Sequence, residues 1–182
     1  MIKKIKIPEN VEIEVDGKSV GVKGVKGELK RDFSNPMFDK SLSIKKADGE
    51  IIISSEDKRK CVKSMMGTIY AHINNMIVGV TKGYKYTLKI YFVHFPMKVE
   101  LKEVNNETEI SIKNFLGERE PRNVKVSDVK VQIQGDLIII RGIDKEKVGQ
   151  TCNKIESACK VCKRDRRVFN DGIFLVKREV DK

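Results

Sequence analysis

No stretch of this chain approaches the roughly 20 consecutive apolar residues that a membrane-spanning helix needs. Its opening, Met-Ile-Lys-Lys-Ile-Lys, leads into a strand pattern and not into the apolar segment of a secretory signal. A soluble, cytosolic (cytoplasmic) protein with no membrane partner is expected. Cofactor fingerprints are also missing: there is no P-loop, no dinucleotide-binding glycine motif behind a strand and no His-Glu-x-x-His. Histidine is confined to His72 and His94. Neither stands at a recurring catalytic spacing from a Ser, Cys or carboxylate, so no catalytic residue, cofactor, metal or small-molecule substrate is expected.

Cysteine is scarce. Cys61, Cys152, Cys159 and Cys162 have no small secreted scaffold around them and should stay reduced. Cys159-Lys160-Val161-Cys162 has the spacing of a zinc knuckle or a redox pair. Zinc needs about four ligands, and there is no second Cys-x-x-Cys to supply them. Cys152 and Cys159 lie seven apart with Ile155 between them, on the apolar face of a helix; Cys159 and Cys162 are therefore expected in the core, as small buried hydrophobes. A zinc or thiol-redox enzyme is the alternative, and it requires the pair to be exposed.

What the chain does have is the same pattern twice. Ile7-Pro8, alternating Val11, Ile13 and Val15, a tip at Asp16-Gly17-Lys18, then Val20, Val22 and Gly27-Glu28 are echoed by Phe95-Pro96, Val99 and Leu101, a tip at Asn105-Asn106, then Ile110, Ile112 and Gly117-Glu118. The offset is about 88 to 90 residues, too long for a solenoid repeat and long enough for a small domain. Period-two alternation predicts hairpins, and Asp48-Gly49 predicts a tight turn in a second one. After 57 the period changes: Val62, Met66, Ile69, Ile73, Met76, Ile77 and Val80 mark one face of a long helix. Ser54, Ser55 or Asp57 would cap its start, and Gly79 or Gly83 would end it. In the second copy Asp144 caps a helix whose apolar face is Val148, Cys152, Ile155, Cys159 and Cys162, and a short strand closes the chain. The fold class is α+β: two tandem similar domains, 1–82 and 83–182, each an antiparallel-rich β-sheet packed against one long helix.

Charge is biased to one sign. The net charge of +11 attracts polyanions; residues 1–80 carry +4 of it and 81–182 carry +7, which makes the second domain the main anion-binding half. Lys160, Lys163, Arg164, Arg166 and Arg167 follow the second helix, interrupted only by Asp165. Cations on a rigid helix-to-strand turn suit phosphate contacts, although most charge runs are simply solvated surface. Lys163, Arg164, Arg166, Arg167 and Asn170 are the first candidate RNA-binding residues, with Lys113, Arg119 and Lys177 next. The glycine-ended bends at 24–27 and 114–117 either bring backbone amides to phosphates or merely end hairpins; Lys26 could reach RNA from the first. Asp171-Gly172 reads as a turn that aims the basic cluster.

Several of these strings resemble one family. Ala71-His72-Ile73-Asn74-Asn75-Met76-Ile77-Val78-Gly79-Val80-Thr81-Lys82-Gly83-Tyr84, His94-Phe95-Pro96, Asn114-Phe115-Leu116-Gly117-Glu118 and Arg167-x-Phe169-x-Asp171-Gly172-Ile173-Phe174 are similar to the L6 family of large-subunit ribosomal proteins, called L9 in eukaryotes. The motifs span both domains in the family's order. The Arg-x-Phe-x-Asp-Gly ending resembles the archaeal and eukaryotic branch, and residues 142–151 the archaeal one; where the eukaryotic-type signature begins with Gln, this chain has Ser157. The resemblance implies two similar α+β domains and a structural ribosomal protein that binds large-subunit ribosomal RNA mainly through its C-terminal domain. It also implies a place near the sarcin-ricin loop, beside neighbouring large-subunit ribosomal proteins and close to where translation GTPases dock. A non-ribosomal basic protein-interaction module is the alternative.

Overall fold

A computed structural model describes the chain except for residues 39, 40, 48, 105, 106, 163, 166 and 182 and the side chains of 103, 104 and 107. The chain divides into two compact units, Met1–Gly83 and Tyr84–Lys182; the expected boundary falls one residue earlier.

The first unit contains β1 (Ile2–Lys6), β2 (Glu12–Asp16), β3 (Ser19–Gly24), β4 (Gly27–Asp32), β5 (Ser43–Ala47), β6 (Glu50–Ser54) and α1 (Lys60–Thr81). Its strands form two antiparallel sheets and not the single expected one: β2-β3-β4 and β1-β6-β5. The run 34–36, with Pro36, separates β4 from β5, and β1 then pairs with the distant β6. α1 packs on both sheets. Register gives each sheet one apolar face: Ile13 lies opposite Val22, Ile5 opposite Ile51 and Ile53 opposite Ile44, and all are buried with Val62, Met66, Ile69 and Ile73 of α1.

α1 begins later than the expected caps at Ser54, Ser55 or Asp57 would place it. None of the expected caps is used: Arg59 is the N-cap residue without a side-chain cap bond. Asp57 instead accepts from the Arg59 amide at 3.0 Å, closing a local turn that the chain must leave before it can become helical. The helix ends at Gly83, whose φ of +79° is left-handed and whose amide donates to the Val78 carbonyl at 3.2 Å. Gly79 lies inside the helix and is buried. The hairpin tips at 105–106 and at Asp48 fall at residues outside those described; Gly17 at the first tip has φ +60°.

The second unit repeats the plan with β7 (Tyr84–Tyr91), β8 (Lys98–Val104), β9 (Glu107–Lys113), a 3-10 turn (Phe115–Gly117), β10 (Arg122–Val126), β11 (Lys130–Gln134), β12 (Leu137–Gly142) and α2 (Lys145–Ala158). The sheet β10-β9-β8 answers to β4-β3-β2. The other sheet keeps the order β7-β12-β11 and adds β13 (Gly172–Val180) on the free side of β7. That last strand is nine residues long, with a register shift between Leu175 and Lys177. Asp144 caps α2, accepting from the Glu146 amide at 2.9 Å. α2 stops at Ala158, so the helical period does not reach Cys162: Cys159 and Val161 are buried, whereas Cys162 is exposed and not in the core as expected.

Candidate nucleic-acid interface

Three loops of the second unit are tied together by named bonds: the segment 92–97 after β7, the turn between β9 and β10, and the long connection 159–171 between α2 and β13. The tie between the first and the last is Asp171. The residue is 1% exposed; Oδ1 accepts from the Val93 amide at 2.5 Å, and Oδ2 lies 3.6 Å from Nδ1 of His94. His94 stacks on Phe169 with centroids 4.7 Å apart, and the Arg164 guanidinium carbon sits 4.8 Å from the same ring. Thus the carboxylate in the strand-entry turn fixes the β7 loop, whose imidazole fixes Phe169, which carries Arg164.

Within the connection itself, Asp165 organises the chain. Its carboxylate accepts from the Arg167 amide at 2.9 Å, and its carbonyl from the amides of Val168 and Phe169 at 3.2 and 2.9 Å. Arg167 therefore projects from a hydrogen-bonded turn. Lys160, Arg164, Arg167 and Asn170 are all exposed.

The third loop is held in an unusual backbone. Asn114, Leu116 and Gly117 have φ of +58°, +50° and +79°, a left-handed region that costs non-glycine residues free energy and persists only where packing enforces it. Here Phe115 is 1% exposed, Asn114 donates to the Pro96 carbonyl at 3.0 Å, and the space beside Gly117 is taken by the Phe95 ring, 3.5 Å from where a Cβ would stand. Arg122 clamps the turn to α2: it makes two bonds to Glu118, at 2.7 and 2.5 Å, donates to the Ala158 carbonyl at 2.5 Å, and lies 4.3 Å from the centroid of Phe115. The bond from Arg122 holds the Glu118 carboxyl below the ordinary carboxylate range, with a further contribution from the charge of Arg164. The first unit uses the same device, since the bend 24–27 donates from the Lys26 amide to the Val80 carbonyl at 2.9 Å and from Lys26 Nζ to the carbonyl of Lys82. A cation on the last carbonyls of a helix is stabilising, and Lys26 is committed to that role.

The candidate residues separate into groups. Arg164, Arg167 and Asn170 lie together on the loop cluster, and Arg119 is exposed in the bend that follows the 3-10 turn. Lys113 closes β9 but is bonded to Glu100 at 2.6 Å. Lys177 stands on β13, 3.9 Å from Glu179. Lys163 and Arg166 lie outside the described residues. Sequence reasoning missed Arg122 as the clamp, although Glu118 and Arg122 at i, i+4 were a readable signal, and it left His94 unconnected to Asp171 because the two are far apart in the chain.

The thiols do not assemble a reactive pair. Burial pushes Cys152 and Cys159 up to about 12, far from the thiolate that redox chemistry or metal binding needs. Among the described residues there is no group of three or more metal-ligating side chains.

Fold and loops together define a duplicated α+β protein with cationic loops gathered on its second domain. The family model described as "Ribosomal protein L6" matches residues 7–83 and again 95–172, and the chain belongs to that family. Its relatives carry the name "Large ribosomal subunit protein uL6": the one from Staphylothermus marinus is 48% identical over 175 residues, 94% of this chain and 91% of the relative. That of Methanothrix thermoacetophila is 44% identical over 179 residues, 98% and 97% of the two chains, and that of Methanobrevibacter smithii 46% over 176, 96% and 94%. These relatives are named as ribosomal proteins of the large subunit.

Proposed function

We propose that this chain is a structural constituent of the large ribosomal subunit that binds large-subunit ribosomal RNA through the loop end of its second domain, beside neighbouring ribosomal proteins. The observation that carries the reading is the joining of 92–97, 114–119 and 159–171 by Asp171, Asn114 and Arg122, which leaves Lys160, Arg164, Arg167 and Arg119 exposed on restrained backbone. Pre-ordered cations bind folded RNA without first losing the entropy of a mobile loop, and phosphate contacts made from them fix register. The placement near the sarcin-ricin loop, and so near the docking site of translation GTPases, is the finer part of the proposal and rests on the family's motifs.

A tagged copy sedimented with ribosomes at moderate and then high salt tests the reading. Stoichiometric recovery with the large subunit at both salts supports it; recovery as free protein overturns it and favours a basic protein-interaction module. Chemical footprinting of the bound RNA then tests the sarcin-ricin placement, which fails if protection lies elsewhere.

A further inference from the structure

The loop cluster does not account for the second unit's other cationic surface, the face of the β11-β12-β7-β13 sheet that is turned from α2. Alternation along β7 places Tyr86, Leu88 and Ile90 in the core and leaves Lys85, Lys89 and Tyr91 on the opposite face. Register adds to that face Arg141 and Glu179 opposite Lys85, Lys177 opposite Thr87, and Phe174 opposite Lys89. Glu179 is the acid of this set and lies beside Lys177, so the face is strongly positive.

Two aromatic rings stand on it, at 50% and 51% exposure for Tyr91 and Phe174. A glycine sets the direction of the second ring. Gly172 is the register partner of Tyr91, and a Cβ there would lie 3.0 Å from Cζ of Phe174. The Phe174 ring therefore lies back along β13 over Gly172, into the row of Tyr91, and Lys89 Nζ is 6.0 Å from the Tyr91 centroid. Exposed rings on adjacent strands cost solubility and contribute nothing to this core.

The geometry points to a stacking platform for unpaired nucleotides: two bases of a single-stranded RNA segment lie on Tyr91 and Phe174, with the flanking phosphates along Lys89, Lys177 and Lys85. This rests on the proposed RNA-binding function and adds a second surface with a different ligand. Base faces are available only where RNA is unpaired, and aromatic side chains on a sheet recognise them by stacking, whereas cations beside the rings follow the backbone. An A-form duplex offers no such faces, and an acidic peptide would use the cations and leave the rings idle.

The test is fluorescence anisotropy of the full chain with a labelled, unstructured octanucleotide and with an RNA duplex of equal length, at two salt concentrations. Tyr91→Leu with Phe174→Leu keeps apolar area and removes the rings. It is expected to weaken single-strand binding by about ten- to hundredfold, with unchanged salt slope and unchanged duplex binding. Lys89→Gln with Lys177→Gln should instead flatten the slope. Unchanged single-strand affinity in a ring variant that melts like the parent overturns the platform, as does displacement of the oligonucleotide by polyglutamate with equal effect on parent and ring variant. Failure of the chain to sediment with the large subunit overturns the ribosomal reading separately, since the oligonucleotide measurement does not depend on it.

Discussion

A buried carboxylate is costly unless its oxygens are met; Oδ1 of Asp171 accepts from the Val93 amide, while Oδ2 makes no hydrogen bond among the described residues and lies 3.6 Å from Nδ1 of His94. Removing the carboxylate takes away the acceptor of the part-buried Val93 amide, so Asp171→Ala should cost about 1 kcal/mol in urea unfolding and speed hydrogen exchange at Val93. Equal stability and exchange would show that the loops are held by other contacts. The thiols give a second residue-scale prediction. In the folded chain Cys61 and Cys162 should label rapidly and Cys152 and Cys159 only on unfolding, because the former are exposed and the latter buried. The same burial has a pH consequence: with folded pKa values of about 12 against an ordinary 9.0, the stability linked to these thiols is fully present below pH 9.0 and is lost as pH rises towards 12. Tyr84, raised from 10.0 to about 12 by burial, acts in the same direction. Thermal melting should fall across that alkaline window, and by less in a Cys152→Ala, Cys159→Ala double variant; an unchanged slope in that variant would remove the thiols as its cause.

At the scale of elements, two glycines are required by close approach. A Cβ at Gly24 would stand 2.7 Å from Val80 Cγ2 and 3.0 Å from the Val80 carbonyl, and one at Gly142 would stand 2.6 Å from Val148 Cγ2. Each seats a strand on its helix: at Gly24 the Val80 carbonyl is helix backbone and cannot yield, and at Gly142 the methyls of Val148 and, at 3.1 Å, of Val129 close on the site from two sides. Gly24→Ala and Gly142→Ala should each destabilise by about 1–3 kcal/mol in urea unfolding, whereas Gly149→Ala, with nothing within 4 Å, should not destabilise. The α1 core face and the Asp144 cap were legible in the sequence because they depend on local period and capping chemistry. The division into two sheets was not, since the pairing of β1 with β6 joins residues some 50 apart that no local pattern relates. The exposure of Cys162 was missed for a related reason: apolar period runs on past the point where α2 stops, and only tertiary packing decides that Val161 turns inward instead. At the candidate site the cationic run was plain in the sequence, while the Asp171, His94 and Phe169 chain that anchors it spans more than 70 residues.

For the whole molecule, loop cations and core are distributed differently. Each unit has its own closed apolar core, built around Ile51, Ile53 and Ile73 in the first and Leu88, Ile138 and Ile155 in the second. The net positive charge is shared almost evenly, +5 for residues 1–83 and +6 for 84–182, but in the second unit Lys160, Arg164, Arg167 and Arg119 are exposed on the joined loops. Release of counterions makes the logarithm of affinity fall with the logarithm of salt by roughly 0.7 to 0.9 for each phosphate neutralised. Lys160, Arg119, Arg164 and Arg167 together would then give a slope of about 3, and Arg164→Ala with Arg167→Ala should lower it by about 1.5. Residues 84–182 expressed alone should therefore fold and retain that slope towards large-subunit RNA, whereas residues 1–83 should bind weakly with little salt dependence. If the slope instead required both halves, the phosphate-binding surface would have to extend over both domains, and the duplication would have preserved RNA contacts in each copy instead of concentrating them in the second.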